Sequence, residues 1–296
     1  MVLVAHGSRD PRGAAATEAL ARAVRRAVPD WDVFATYLDH AGPRPLDVLA
    51  ALPGRRAVVV PLLLTKAFHG RVDIPAVLTD AADLPVSVAL ADVLGPVPES
   101  ASGPVLVPSY GPAGAPSPSF AALAPSPSSA GLAPSPSSAA PLAAPPLAAG
   151  LVPSCSFAGL VPSLLIDALV RRLPTAGLDG VVLAAAGTRN AAARTTVEWA
   201  AEALSARLSL PCAVGYASAA PPLPGSAVDL LRASGARRIG VASYFLAPGY
   251  LYDVAARSAL EAGAVAVAEP LTDAPEIVSL VAERVNAVAS RLPAAA

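Results

Sequence analysis

Apolar residues in this chain come in two spacings that take turns. Val2 to Ala5 is a short unbroken apolar run, suited to a strand covered on both faces; Ala14 to Val28 comes next at helical spacing, with Arg22, Arg25 and Arg26 on its polar side. The same alternation predicts a strand over 33–38, a helix over 45–52, a strand over 57–64, a helix over 74–82 and a strand over 86–91. It resumes after a long gap, with strands expected from Val181, Cys212, Ile239 and Val265. Strands separated by helices imply parallel sheets joined by right-handed crossovers, so the expected fold class is α/β.

The two stretches are copies of one another. Val2-Leu3-Val4-Ala5-His6-Gly7-Ser8-Arg9-Asp10 aligns with Val182-Leu183-Ala184-Ala185-Ala186-Gly187-Thr188-Arg189-Asn190, and Glu18 and Asp73 align at the same offset with Glu198 and Asp253. Residues 91–94 then match 268–271, and Pro98-Glu99 matches Pro275-Glu276. The run 277–284, directly after Glu276, resembles 164–171 on the far side of the gap. The expected organisation is therefore a first module over 1–99 completed by a helix over 163–173, an insert over 100–161, and a second module over 178–296.

Composition changes the picture only through that insert. No Lys, Arg, Asp or Glu lies between Glu99 and Asp167, yet 14 of the chain's 33 prolines do, and Ala-Pro-Ser-Pro-Ser recurs from Ala115, Ala124 and Ala133. Such a tract has little periodic apolar surface to bury, so the expectation is a disordered surface-loop expansion. The mean hydropathy of the chain is +0.55. No proline-free apolar stretch approaches the length of about 20 residues that a spanning helix needs, so no membrane partner is expected. A net charge of −1 argues against a nucleic-acid partner. The start Met1-Val2-Leu3-Val4, with neither a basic leader nor a small-residue cleavage site, reads as cytoplasmic. Cys155 and Cys212 are far apart and form no CxxC pair, which gives no support to a disulfide framework or a cysteine metal site.

The candidate chemistry is carried by histidine. All three histidines, His6, His40 and His69, fall in the first module. His6 comes directly after the first strand and His69 after the third, placing both at the carboxyl edge of a parallel sheet, where ligands bind. Both are missing from the sister module, which has Ala186 and Gly249 there. Neighbouring first and third strands would bring the two imidazoles together, and an imidazole pair suits a divalent first-row transition metal. His40 comes after the second strand beside Asp39, and sequence alone leaves its role open. There is no GxGxxG, no GxxxxGK[ST] and no GxSxG, so neither nucleotide binding nor a serine-hydrolase elbow is supported.

The run His6-Gly7-Ser8-Arg9-Asp10-Pro11-Arg12, then Pro61-Leu62-Leu63-Leu64, then His69 with Asp73-Ile74-Pro75, resembles the class II tetrapyrrole chelatases, and within them the CbiX and SirB type sirohydrochlorin chelatases. Tyr244-Phe245-Leu246-Ala247-Pro248-Gly249-Tyr250 resembles the second half of the same family. The resemblance implies two chelatase-like, flavodoxin-like modules whose parallel four-stranded sheets face a cleft. It implies insertion of Fe2+ or Co2+, as metal substrate, into sirohydrochlorin for siroheme or cobalamin synthesis, with no resident cofactor. His6 and His69 would be the catalytic and metal-holding residues. Ser8, Arg9, Lys66, Arg71, Tyr244 and Tyr250 would bind the polycarboxylate macrocycle in a monomeric protein. The alternatives are a non-catalytic tetrapyrrole or metal carrier and a ferrochelatase acting on another porphyrin.

Overall fold

Strand alternation is explicit in the three-dimensional arrangement. In the computed structural model of the chain, which describes residues 1–52, 54, 56–66, 74–97, 160–174, 176–290 and 292, the first module runs β1 (Val2–Ala5), α1 (Pro11–Ala27), β2 (Phe34–Tyr37), α2 (Pro45–Ala50), β3 (Arg56–Pro61), α3 (Ile74–Asp80) and β4 (Ser87–Leu90). After α4 (Ser163–Arg172), the second runs β5 (Gly180–Ala185), α5 (Ala191–Leu208), β6 (Cys212–Tyr216), α6 (Pro224–Ala233), β7 (Ile239–Tyr244), α7 (Tyr250–Glu261), β8 (Ala266–Val267) and α8 (Pro275–Ala289). The expected insert lies outside the described residues, apart from its last two positions. No helix among the described residues is long and apolar enough to cross a membrane.

Both sheets are parallel, ordered β2-β1-β3-β4 and β6-β5-β7-β8. β1 pairs with β3, Val4 standing opposite Pro61, so the first and third strands are neighbours and their carboxyl ends lie side by side. The central strands β1, β3, β5 and β7 bury both faces. Leu3, Val58 and Val60 point into a core shared with Val181, Leu183 and Ala242 of the second sheet. Val2, Val4 and Val59 point the other way, against α2 and α3, while Val182, Ala184 and Val241 do the same against α6 and α7. Full burial on both sides explains why these strands read as continuous apolar runs rather than as alternations.

The last helices are exchanged relative to the sequence expectation. α4 does not complete the first module: it packs against β7 and α5, whereas the chain-terminal α8 packs against α1, β3 and β4, and the two helices lie against each other. The runs 164–171 and 277–284 carry the same apolar spacing, which defines the buried face of a helix but not the sheet that receives it. The helix after β1 also starts earlier than its apolar spacing indicates. Pro11 occupies the first turn, where a missing N–H is harmless, and Asp10 caps it by accepting the Arg12 backbone N–H at 2.9 Å.

Because each module supplies an inner helix to the other, the two are expected to unfold together. Leu169→Ala, which empties a site only 1% exposed on α4, is expected to lower stability by about 2–5 kcal/mol. Trp31 reports on the first module and Trp199 on the second. Denaturant transitions monitored in Trp31→Phe and Trp199→Phe variants should coincide, and two separated midpoints would contradict the exchange.

Candidate functional site

The site grows from the turn that ends β1. Gly7 has φ +93°, and a Cβ there would lie 1.8 Å from the Asp39 carbonyl oxygen. Only glycine fits, because that carbonyl is locked in place when the Asp39 N–H donates to the His6 carbonyl at 2.8 Å. Ser8 then turns the chain by accepting the Asp10 N–H on its Oγ at 3.0 Å. The result holds His6, exposed, at the carboxyl edge of the first sheet.

His6 forms part of the wall of two adjoining cavities. One, of about 330 Å3, lies between His6, Ser8 and Tyr37 of the first module and Phe245, Tyr250 and Tyr252 of the second. The other, of about 440 Å3, lies between His6, Leu62 and Thr65 on one side and Thr188, Tyr216 and Tyr244 on the other. Both are largely apolar with a few polar groups, as sites for small organic ligands are.

The expected ligand-binding residues separate into distinct positions. Ser8 and Tyr250 line the first cavity, Tyr250 being 77% exposed at the start of α7. Arg9 is exposed beside Ser8. Lys66 pairs with Asp92 at 3.7 Å where β3 and β4 end. Tyr244 presents its ring to the second cavity, but its buried hydroxyl donates to the Leu64 carbonyl of the other module at 3.0 Å. Gly95 permits this bond, since a Cβ there would fall 1.7 Å from the same carbonyl oxygen. His69 and Arg71 lie outside the described residues. Among the described residues no group of three or more His, Cys, Asp or Glu side chains is placed to hold a metal ion.

Two features were not assigned to the site from sequence. His40 brings its ring to 6.4 Å from that of His6, edge to face. It adopts φ +61°, and its backbone N–H donates to Asp39 at 2.8 Å, the main reason the Asp39 carboxyl sits below its ordinary range. The charges of His40, Arg44 and His6 add to that lowering. The second is an ion pair across the modules, Arg12 to Asp253, at 2.6 Å. A signal for His40 existed in its place after β2, at the same edge as His6. Nothing in the sequence pairs Arg12 with Asp253.

The second module repeats the scaffold without the imidazoles. Gly187 has φ +92° and is wedged against the Ser218 carbonyl as Gly7 is against Asp39. Hydrogen bonds Tyr216 to Pro222 and Ala220 to Ser218 reproduce Tyr37 to Pro43 and Ala41 to Asp39. That register places Ala219, also at φ +61°, where the first module has His40, and Ala186 where it has His6.

Comparison with known proteins agrees with this architecture. The CbiX family model matches residues 1–102 and 180–288. The structure of SirB from Bacillus subtilis with Fe3+ superposes with a TM-score of 0.65 at 15% identity, covering 98% of this chain and 95% of that one. The sirohydrochlorin chelatase SirB from Bacillus subtilis subspecies spizizenii in complex with cobalt gives 0.62 at 14%, covering 98% and 94%. CbiX, described as the terminal enzyme of siroheme biosynthesis in denitrifying bacteria, gives 0.54 at 17%, covering 97% and 96%. At these identities the likeness is one of fold. No curated protein sequence matches the chain.

Burial without a charged partner raises the Tyr244 phenol far above its ordinary value. The folded chain therefore keeps this proton after the unfolded chain, near pH 10, releases it, so the contribution is complete below that pH and is lost as pH rises above it. Tyr244→Phe is expected to lower neutral-pH stability by about 1–3 kcal/mol, because the Leu64 carbonyl loses its donor, and to flatten the alkaline decline. Urea melts at about pH 7.5 and about pH 10.5 check both effects. Tyr37, Tyr216 and Tyr252, also raised by burial, supply the residual slope. An equally steep alkaline loss in the variant would contradict the reading.

Proposed function

From the premise that this chain belongs to the CbiX family, we propose that it is a sirohydrochlorin chelatase that inserts Fe2+ or Co2+ into the macrocycle. The observation that carries the reading is the placement of His6. It stands at the carboxyl edge of the first sheet and forms part of both cavities between the modules.

Metal insertion asks for two things at one place. The pyrrole N–H protons must leave, and the metal must exchange its water ligands for ring nitrogens. An imidazole, with an ordinary pKa of about 6.5, is largely neutral near pH 7 and can hold a first-row divalent ion or take up a proton. His6 presents one imidazole, and His69, which comes after β3 in the chain, supplies the second by its position in the family motif. β1, which ends just before His6, and β3, which precedes His69 in the chain, are neighbours in the first sheet. Two structures of the same fold, one solved with Fe3+ and one in complex with cobalt, support a metal as a ligand of this chain.

The apolar wall of Phe245, Tyr250 and Tyr252 suits the ring face, and Ser8 and Arg9 beside His6 suit its carboxylates. Lys66 supplies a further positive charge on the β3 side, shared with Asp92. Arg71 is proposed for the same role from its place beside His69.

Purified protein incubated with sirohydrochlorin and Co2+ or Fe2+ is expected to accelerate the absorbance change of metallation over the spontaneous rate. His6→Ala and His69→Ala should each lower that acceleration by about 10²–10⁴-fold, the usual worth of a positioned acid–base group, while melting as the parent does. Stoichiometric binding without turnover would identify a carrier instead. Wild-type rates in both variants would remove the histidines from the reaction.

A further inference from the structure

The cavity that holds His6, Ser8 and Tyr250 has a charged lip. Arg12 stands at the second position of α1, one residue before Gly13 of the cavity wall, and Asp253 stands one residue after Tyr252. The Arg12 guanidinium is held along one edge by its own module. Asp10 Oδ1 accepts from Nε at 3.1 Å, and Asp10 Oδ2 accepts from Nε at 3.1 Å and from Nη2 at 2.6 Å. Its other edge faces the opposite module, where Asp253 Oδ2 accepts from Nη2 at 2.6 Å and Oδ1 from Nη1 at 3.4 Å.

The two carboxylates differ in what they are tied to. Asp10 caps α1 and accepts the Arg12 backbone N–H, so it travels with the guanidinium whatever the modules do. Asp253 sits in the first turn of α7 and reaches Arg12 only across the cleft. The pair is open to water, with side-chain exposures of 50% for Arg12 and 38% for Asp253. An exposed ion pair of this kind is held weakly, and a ligand carboxylate is chemically the same acceptor. The planar fork of Arg suits two-point capture of a carboxylate, and Asp10 fixes its orientation beforehand.

We propose that Arg12 is a carboxylate-recognition residue of this cleft, and that Asp253 is an internal carboxylate that an acidic ligand displaces from it. The proposal deepens the chelatase reading and rests on it for the ligand class, a polycarboxylate tetrapyrrole. Asp253 then has a double part. It joins the modules at the lip, and it competes with the ligand for the outer guanidinium edge.

Competition makes the two partners of one ion pair act with opposite sign. A bridge with only a structural part would instead make their loss act alike. Binding of metal-free sirohydrochlorin to the full chain, monitored by the change in its fluorescence, separates these cases. R12Q is expected to weaken binding about twofold to fivefold and D253N to tighten it by a similar factor, the range for an exposed charge pair. R12K, which keeps the charge but not the fork, should fall between wild type and R12Q. In the R12Q background the gain from D253N should shrink. Both substitutions are at exposed positions, and unchanged melting temperatures would show that the fold is intact. Shifts of the same sign in R12Q and D253N, or no shift in either, would overturn the proposal. A wild-type protein that binds sirohydrochlorin without metallating it would defeat the chelatase reading alone, whereas one that does not bind it at all would defeat both.

Discussion

Each sheet of this protein has an inner face that its own module does not cover alone, and the exchange of α4 and α8 resolves that. α8, the last element of the chain, lies on β3 and β4, and α4, which precedes the second module, lies on β7 beside α5. Leu165 and Leu169 of α4 and Ile277, Val281 and Val285 of α8 therefore belong to one core that also contains Leu3 of β1 and Leu183 of β5. Burial on this scale, at about 25 cal/mol per Å2 of apolar surface, is the main force holding the modules in register. Polar contacts then trim the fit, as where Arg284 of α8 donates to the Val93 carbonyl beyond β4 at 3.0 Å.

That register sets the two cavities. The carboxyl-edge turns of β1 and β5, each built on a positive φ and a close backbone approach that only glycine fits, contribute to both cavity walls through His6 and Ala186. The backbone treats the two turns alike. Side chains do not: the imidazoles of His6 and His40 are replaced by the methyl groups of Ala186 and Ala219, and Thr17, which lines one cavity, by Val197 in the other. The duplicated scaffold thus supplies the walls twice and the donor chemistry once. The second module contributes shape instead, through Phe245, Tyr250 and Tyr252.

Much of this was legible in the sequence because burial on both faces leaves a plain mark. Runs such as Val2 to Ala5 and Val181 to Ala185 can be little other than central strands when helices alternate with them, and the repeat made each module a check on the other. His6 was legible for a related reason, since a residue directly after a parallel strand must lie at the carboxyl edge. Which sheet receives α4 was not, because amphipathic spacing records a buried face and not its partner. Tyr244 was expected to face a ligand, and its ring does line a cavity. Its hydroxyl bond to Leu64 depends on a contact between residues 180 apart, which no local pattern encodes. Asp253 read only as a repeat anchor, and its link to Arg12 arises where α1 and α7 meet.

As proposed, His6 is where the metal meets the macrocycle. Diffraction from crystals soaked in Co2+, recorded at the cobalt absorption edge, tests it most directly. An anomalous peak is expected within bonding distance of an imidazole nitrogen of His6, at the junction of the two cavities. Cobalt bound elsewhere on the protein, with none at His6, would contradict it.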